Sequence, residues 1–171
     1  MPLYEKLQQH LSDYTVELLS LENLDKYEKV FYCNNDYYLI TDGRNVSKDD
    51  CIDTIEYCPH DFPKEKCYCV GFSFNGEAAA VLSLLEGYPE YGVLYIGLFL
   101  MNEKFKQKGI ATKIINTLID EAFRTEYKTI KLSVQDNNIS GFSFWKKIGF
   151  SITEIYGCNG FSNLSMEYSH N

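Results

Sequence analysis

Residues 105–112, Phe-Lys-Gln-Lys-Gly-Ile-Ala-Thr, bring together the residue types that gather an anion: two lysines, a glycine, and the first apolar positions of a periodic stretch. A helix start carries unpaired N–H groups and partial positive charge, so acidic side chains are ordinarily favoured there. Here Lys104, Lys106 and Lys108 crowd the turn instead. A phosphate bound at the turn Lys106, Gln107, Lys108, Gly109, Ile110, Ala111 and Thr112 resolves the misfit by supplying the negative charge; a solvated lysine loop is the alternative. Two better-known phosphate loops are excluded. Gly109 is followed by Ile-Ala-Thr, without the Gly-Lys-Ser/Thr ending of a P-loop or the three spaced glycines of a dinucleotide fingerprint.

The elements around the turn follow from apolar periodicity. Residues 95–101 form a short apolar run with one glycine, the pattern of a buried strand. Beyond the turn, Ile110, Ala111, Ile114, Ile115, Leu118, Ile119, Ala122 and Phe123 fall on one helical stripe. Strands are expected over 66–74 and 77–86, joined by Asn75-Gly76, a strong hairpin signal. A third, over 92–101, completes an antiparallel meander and feeds the turn and its helix. Residues 129–135 are rich in β-formers, and the helical crossover before them implies parallel pairing with the third strand. A helix over 139–148, closed by Gly149, and strands near 151–155 and 161–168 complete the C-terminal half. Upstream, helical spacing covers 3–12, 23–33 and 47–57, with a first strand at 15–19, while residues 42–45 and 58–63 read as loops. The fold class is therefore mixed α/β, with a mostly antiparallel sheet, one parallel strand pair and flanking helices.

The chain has 171 residues, enough for one domain that buries roughly 70% of its unfolded surface. Its 45% apolar and 15% aromatic content excludes a disordered chain. No apolar h-region follows Met1, and no stretch approaches the ~20 residues of a membrane span, so a cytoplasmic protein is expected. Cys33, Cys51, Cys58, Cys67, Cys69 and Cys158 lack the Cys-x-x-Cys spacing of zinc sites. Reduced thiols and no metal are the reading, although Cys67 and Cys69 would share one strand face with Cys58-Pro59-His60 nearby. The net charge is −8, unevenly distributed: residues 1–102 hold 17 acidic and 7 basic side chains, and residues 103–171 hold 7 and 9. An acidic surface disfavours nucleic acid and anionic membrane, and the acidic half favours a cationic partner.

Two segments, in this order, resemble the GNAT superfamily of acyl-CoA-dependent N-acyltransferases. Residues 106–111, Lys-Gln-Lys-Gly-Ile-Ala, resemble the family's Arg/Gln-x-x-Gly-x-Gly/Ala after a bulged strand. Residues 138–150, Asn-Ile-Ser-Gly-Phe-Ser-Phe-Trp-Lys-Lys-Ile-Gly-Phe, resemble its Asn-x-x-Ala-x-x-Phe-Tyr-x-x-x-Gly-Phe. The resemblance implies that acetyl-CoA is the co-substrate and that a primary amine is the acceptor, in a monomer or homodimer. It further implies that backbone groups of Phe99, Leu100 and Met101 hold the pantetheine arm, that residues 107–112 hold the pyrophosphate, and that Asn138 meets the pantetheine or caps its helix. Lys106 keeps the charge of the usual Arg but loses the guanidinium fork.

Trp145 departs from the family's Tyr, which protonates the leaving thiolate in many relatives. An indole N–H cannot act as that acid. The resemblance and this departure leave two readings: an acetyltransferase whose thiolate leaves unaided, with Trp145 packing against the thioester end of the cofactor, or an acyl-CoA-binding sensor of little turnover. A nucleotide-binding α/β domain is a third, lacking its fingerprints. On the amine side a base is expected. Tyr95 lies where some relatives place a carboxylate, and Glu86 ends the preceding strand, within reach of the cleft through water.

Overall fold

The computed structural model describes residues 1–158 and 160–170, with the side chain of Cys158 outside the described set. The helices are α1 (Leu3–His10), α2 (Leu24–Tyr32), α3 (Asn35–Asp42), α4 (Lys48–Glu56), α5 (Ile110–Phe123) and α6 (Ile139–Ile148). The strands are β1 (Tyr14–Leu18), β2 (Cys67–Phe74), β3 (Glu77–Glu86), β4 (Val93–Met101), β5 (Thr129–Gln135), β6 (Ser151–Cys158) and β7 (Phe161–Ser169). They form one mixed sheet in the order β1-β2-β3-β4-β5-β7-β6, in which only β4 and β5 run parallel. Among the described residues no helix is long and apolar enough to cross a membrane.

The β2–β3 hairpin turns at Asn75 and Gly76, both left-handed with φ of 50° and 78°, the pairing that matches the right-handed twist of the flanking strands. Alternation along β3 divides the core between the two faces of the sheet. Leu82 and Leu84 pack with Ile114, Ile115 and Leu118 of α5 on one face, and Val81 packs with Tyr27, Phe31 and Cys51 on the other. α4 begins in a capping box: Ser47 Oγ accepts from Asp50 N–H, and the Asp50 carboxylate accepts from Ser47 N–H at 2.7 Å.

Most of the expected elements are present within one to three residues of their limits. The exception is α3, since the periodicity of residues 35–42 predicts no helix. Its signals are nonetheless present: Asn34 at the N-cap, Asp36 in the first turn, and Gly43 left-handed at the C-cap with φ of 69°. Its short sequence, Asn-Asp-Tyr-Tyr-Leu-Ile-Thr-Asp, carries no clean apolar stripe, because only Tyr38 is buried. The fold brings one pair of cysteines together. Cys67 and Cys69 are both buried on one face of β2, Cys58 Sγ lies 2.7 Å from Cys67 Sγ, and Cys69 donates to the Thr54 carbonyl at 3.2 Å.

Two irregularities of β4 position everything that follows. Opposite β3, Ser83 faces Leu98 while Leu84 faces Ile96, so Gly97 stands in a β-bulge. Opposite β5, the parallel ladder has three rungs, Val93 to Thr129, Leu94 to Ile130 and Tyr95 to Lys131, and then stops. From Ile96 to Met101 the strand diverges from its neighbour and opens a wedge.

Candidate active site

The cradle is built by backbone conformation. After Phe105 is anchored in the core, the chain turns left-handed at Gln107 (φ 58°) and again at Gly109 (φ 76°), the residue that caps α5. Left-handed geometry is tolerated at Gly109 because it has no Cβ, and a Cβ built there meets nothing within 4 Å. The first backbone donor of α5 with a carbonyl partner is Lys113, to Gly109 at 3.0 Å. Among the described residues, the N–H groups of Gln107 to Thr112 have no acceptor, and no acidic side chain occupies the first turn. Consecutive outward N–H groups in such a turn form an anion-binding concavity.

The lysines contribute less charge than their number implies. Lys104 pairs with Glu77, and Lys106 pairs with Glu103 at 2.9 Å while donating to Asn34 Oδ1 at 3.1 Å. Lys108 is exposed and has no ion pair among the described residues. The cradle's affinity for an anion therefore rests on the backbone more than on side-chain charge.

From the cradle, the wedge between β4 and β5 forms a cleft of about 470 Å³ lined by residues 96–101 of β4, residues 132–135 of β5, and Asn138, Phe144 and Trp145 of α6 and its cap. Lys106, Gln107 and Ala111 line its cradle end. On the unpaired side of β4, backbone amide and carbonyl groups are free to bind an extended chain of amides. Not all are available: the Met101 carbonyl already accepts from Asn34 Nδ2 at 2.7 Å. Asn138 lines the cleft and also caps α6, its Oδ1 accepting from Gly141 N–H at 3.1 Å.

Trp145 is 8% exposed and packs among three phenylalanines. Its ring lies 4.9 Å from Phe144, 5.2 Å from Phe150 and 6.1 Å from Phe99, centroid to centroid. Phe99 and Phe144 stack at 6.1 Å. This aromatic wall joins α6 to the splayed part of β4.

A second cavity, of about 690 Å³, adjoins the cleft on the α3–α4 side. Tyr37, Thr41, Gly97 and Leu98 line both spaces, so the bulge of β4 and one turn of α3 form the seam. The remaining wall carries Tyr38, Asp42, Asp50, Asp53, Tyr57, Tyr88 and Tyr95. Arg44 grips Asp50 with a fork, Nη1 at 2.9 Å and Nη2 at 2.6 Å, and holds that carboxyl well below the usual range. Burial, aided by Asp42, raises the Tyr37 phenol.

Tyr95 therefore reaches the second cavity. Burial, with Tyr156, Tyr88 and Tyr57 nearby, pushes its phenol up to about 12, which leaves it protonated and unsuited to accept a proton at neutral pH. Glu86 lines neither space. It shares the face of β3 that packs on α5, because Leu84 points there and side chains alternate, and it accepts hydrogen bonds from the hydroxyls of Tyr68 and Tyr127. Sequence spacing does not single out Asn34, Tyr37, Tyr38, Asp42 and Asp53, which α3 with its N-cap and α4 bring to the walls of the two cavities.

The comparisons with known proteins agree with this architecture. No curated protein matches the chain in sequence. Among solved structures, an acetyltransferase from Thermus thermophilus superposes with a TM-score of 0.72 at 15% identity, covering 94% of this chain and 99% of that one. The PaiA N-acetyltransferase of Thermoplasma acidophilum, solved with coenzyme A, gives 0.66 at 16% identity, covering 92% and 99%. An acetyltransferase of Bacillus subtilis, solved with CoA, gives 0.61 at 20% identity, covering 92% and 99%. These likenesses establish the fold. The sequence profile of the acetyltransferase (GNAT) family matches residues 18–150, from the last residue of β1 through the cradle to the end of the α6 turn, and the chain belongs to that family.

Proposed function

We propose that the protein transfers the acetyl group of acetyl-CoA to a primary amine by direct attack, without a covalent enzyme intermediate. The observation that carries this reading is the run of unpaired N–H groups from Gln107 to Thr112, opening onto a cleft that ends at the seam with the second cavity. The run suits a pyrophosphate, and the exposed edge of Phe99 and Leu100 suits the amides of a pantetheine arm. Trp145, Phe144 and Phe99 would then wall the thioester end.

In this reading the acceptor enters through the second cavity and meets the thioester at Gly97 and Leu98. An alkylammonium of pKa about 10.4 must first release a proton, which costs about 4 to 5 kcal/mol near pH 7. The free amine forms the C–N bond, the C–S bond breaks, and the second N–H proton ends on the CoA thiolate. With a thiol pKa of about 8.5 the thiolate leaves without a strong acid, so the indole at position 145 is compatible with turnover. Deprotonation falls to water at the seam rather than to Tyr95, whose phenol stays protonated. Holding both reactants in line across the seam would supply much of the rate.

The test is CoA release from acetyl-CoA in the presence of a panel of primary amines, together with the melting temperature on adding acetyl-CoA. A rise in melting temperature with amine-dependent CoA release is expected. Absence of both overturns the reading. A rise without release from any amine favours the sensor reading, which the missing acid at Trp145 also motivates.

A further inference from the structure

Resting on the acetyl-transfer reading, we propose that the acceptor is a small amine with a second positive charge, a diamine or polyamine, whose distal ammonium is held at the mouth of the second cavity by Asp42 and Asp53. Three aspartates line this cavity and no lysine or arginine does. Asp50 is occupied by the Arg44 fork, which also lies 3.7 Å from Asp42. Asp53, on α4, has no ion pair or hydrogen-bond partner among the described residues and faces the cavity from its exposed rim.

A second feature points the same way. Tyr38 lines the cavity, is 5% exposed, and its hydroxyl oxygen has no hydrogen-bond partner among the described residues. A buried hydroxyl without a partner is unusual, and an ammonium N–H supplies the missing donor. Around it, Tyr88 and Tyr95 meet edge to face with centroids 5.6 Å apart and, with Tyr57, offer ring faces to a cation.

The arrangement has a direction. The carboxylates sit at the rim, and the seam at Tyr37 and Gly97 is uncharged. A chain with an ammonium at each end can leave one charge at the rim and present the other, after loss of its proton, to the thioester. A monoamine gains nothing from the rim. The stoichiometry is unchanged: one C–N bond forms, one C–S bond breaks, and the distal ammonium keeps its proton throughout.

The experiment compares kcat/KM for α,ω-diamines of increasing length and spermidine with that for n-alkylamines of matched length, in wild type and in Asp53→Asn, with melting temperatures showing that the variant is folded. Wild type should prefer the dicationic acceptor severalfold, up to about fivefold, the scale of an ion pair at an exposed rim. That preference should shrink with added salt. Asp53→Asn should reduce it severalfold through KM, and Asp53→Glu should restore part of it. Equal rates for diamines and monoamines overturn the proposal and leave acetyl transfer standing, as does a preference that Asp53→Asn does not change. Faster acetylation of a lysine within a basic peptide also overturns it. No CoA release from any amine overturns both readings.

Discussion

Asn34 donates through Nδ2 to the Met101 carbonyl at 2.7 Å, tying the junction of α2 and α3 to the last residue of the splayed strand. The same nitrogen donates to the Val30 carbonyl at 2.7 Å, and the Asn34 oxygen accepts from Lys106. One 9%-exposed side chain thus links the α2–α3 junction to the splayed strand and to the cradle. Asn34→Ala is expected to lower stability by roughly 2 kcal/mol, since a buried carbonyl loses its partner. Urea unfolding measures that loss, and the KM for acetyl-CoA should rise in parallel as Lys106 is released.

Gly109→Val tests the cradle. The added side chain has space but must adopt φ of 76°, so stability should fall by about 1 to 2 kcal/mol. Crowding of the N–H concavity should raise the KM for acetyl-CoA by about tenfold or more while kcat changes little, the signature of lost ground-state binding. An unchanged KM with the folded variant would remove the cradle from cofactor binding.

Trp145 separates packing from chemistry. Trp145→Ala should cost about 3 to 5 kcal/mol of stability by emptying the wall formed with Phe99, Phe144 and Phe150. Trp145→Phe should keep the fold and hold kcat within about threefold. A general acid contributes about 10²-fold or more, so a loss of that size in Trp145→Phe would assign the indole a part in the chemical step.

Glu86→Gln is expected to destabilise the protein by about 1 to 3 kcal/mol, because the hydroxyls of Tyr68 and Tyr127 converge on that carboxylate. Steady-state kinetics with any accepted amine should show kcat/KM unchanged within about threefold, since the side chain lies across the sheet from both cavities. A drop of about 10²-fold would return it to the role of base.

Alkaline pH should destabilise the fold through the same pair. Burial, reinforced by Glu86, raises both the Tyr68 and Tyr127 phenols. In the unfolded chain these groups ionise near pH 10, while the folded chain keeps its protons, so unfolding releases protons there. Their contribution is intact below about pH 10 and is lost as pH rises beyond it. Thermal melts across the alkaline range should show a plateau and then a fall in melting temperature, tracked by tyrosinate absorbance.

The parts of this site that are legible in the sequence are those whose information is local. The cradle lies in eight consecutive residues, the strand before it is an apolar run, and α6 announces itself with Asn138 at one end and Gly149 at the other. The second cavity is not legible for the opposite reason. Tyr37, Tyr38 and Asp42 sit on a two-turn helix without a clear stripe, and Asp53 lies eleven residues beyond Asp42 on another helix. They converge only through tertiary packing, with α4 docked on α2 and β2, a contact that no spacing encodes. Glu86 shows the limit of reasoning from strand ends: a residue at the right end of the right strand can still point to the wrong face, because side-chain direction depends on parity.

The three-rung ladder between β4 and β5 leaves two strand edges facing each other inside the molecule. Exposed edges on a protein's rim invite other chains to add to the sheet, with aggregation as the hazard. Here the unpaired groups face an internal cleft walled by α6 and the cradle instead of the rim. The protein can therefore keep open hydrogen-bonding capacity in its centre without becoming sticky, and a ligand that fills the cleft should slow hydrogen exchange at Phe99 and Leu100 more than at the distant β1–β2 pair.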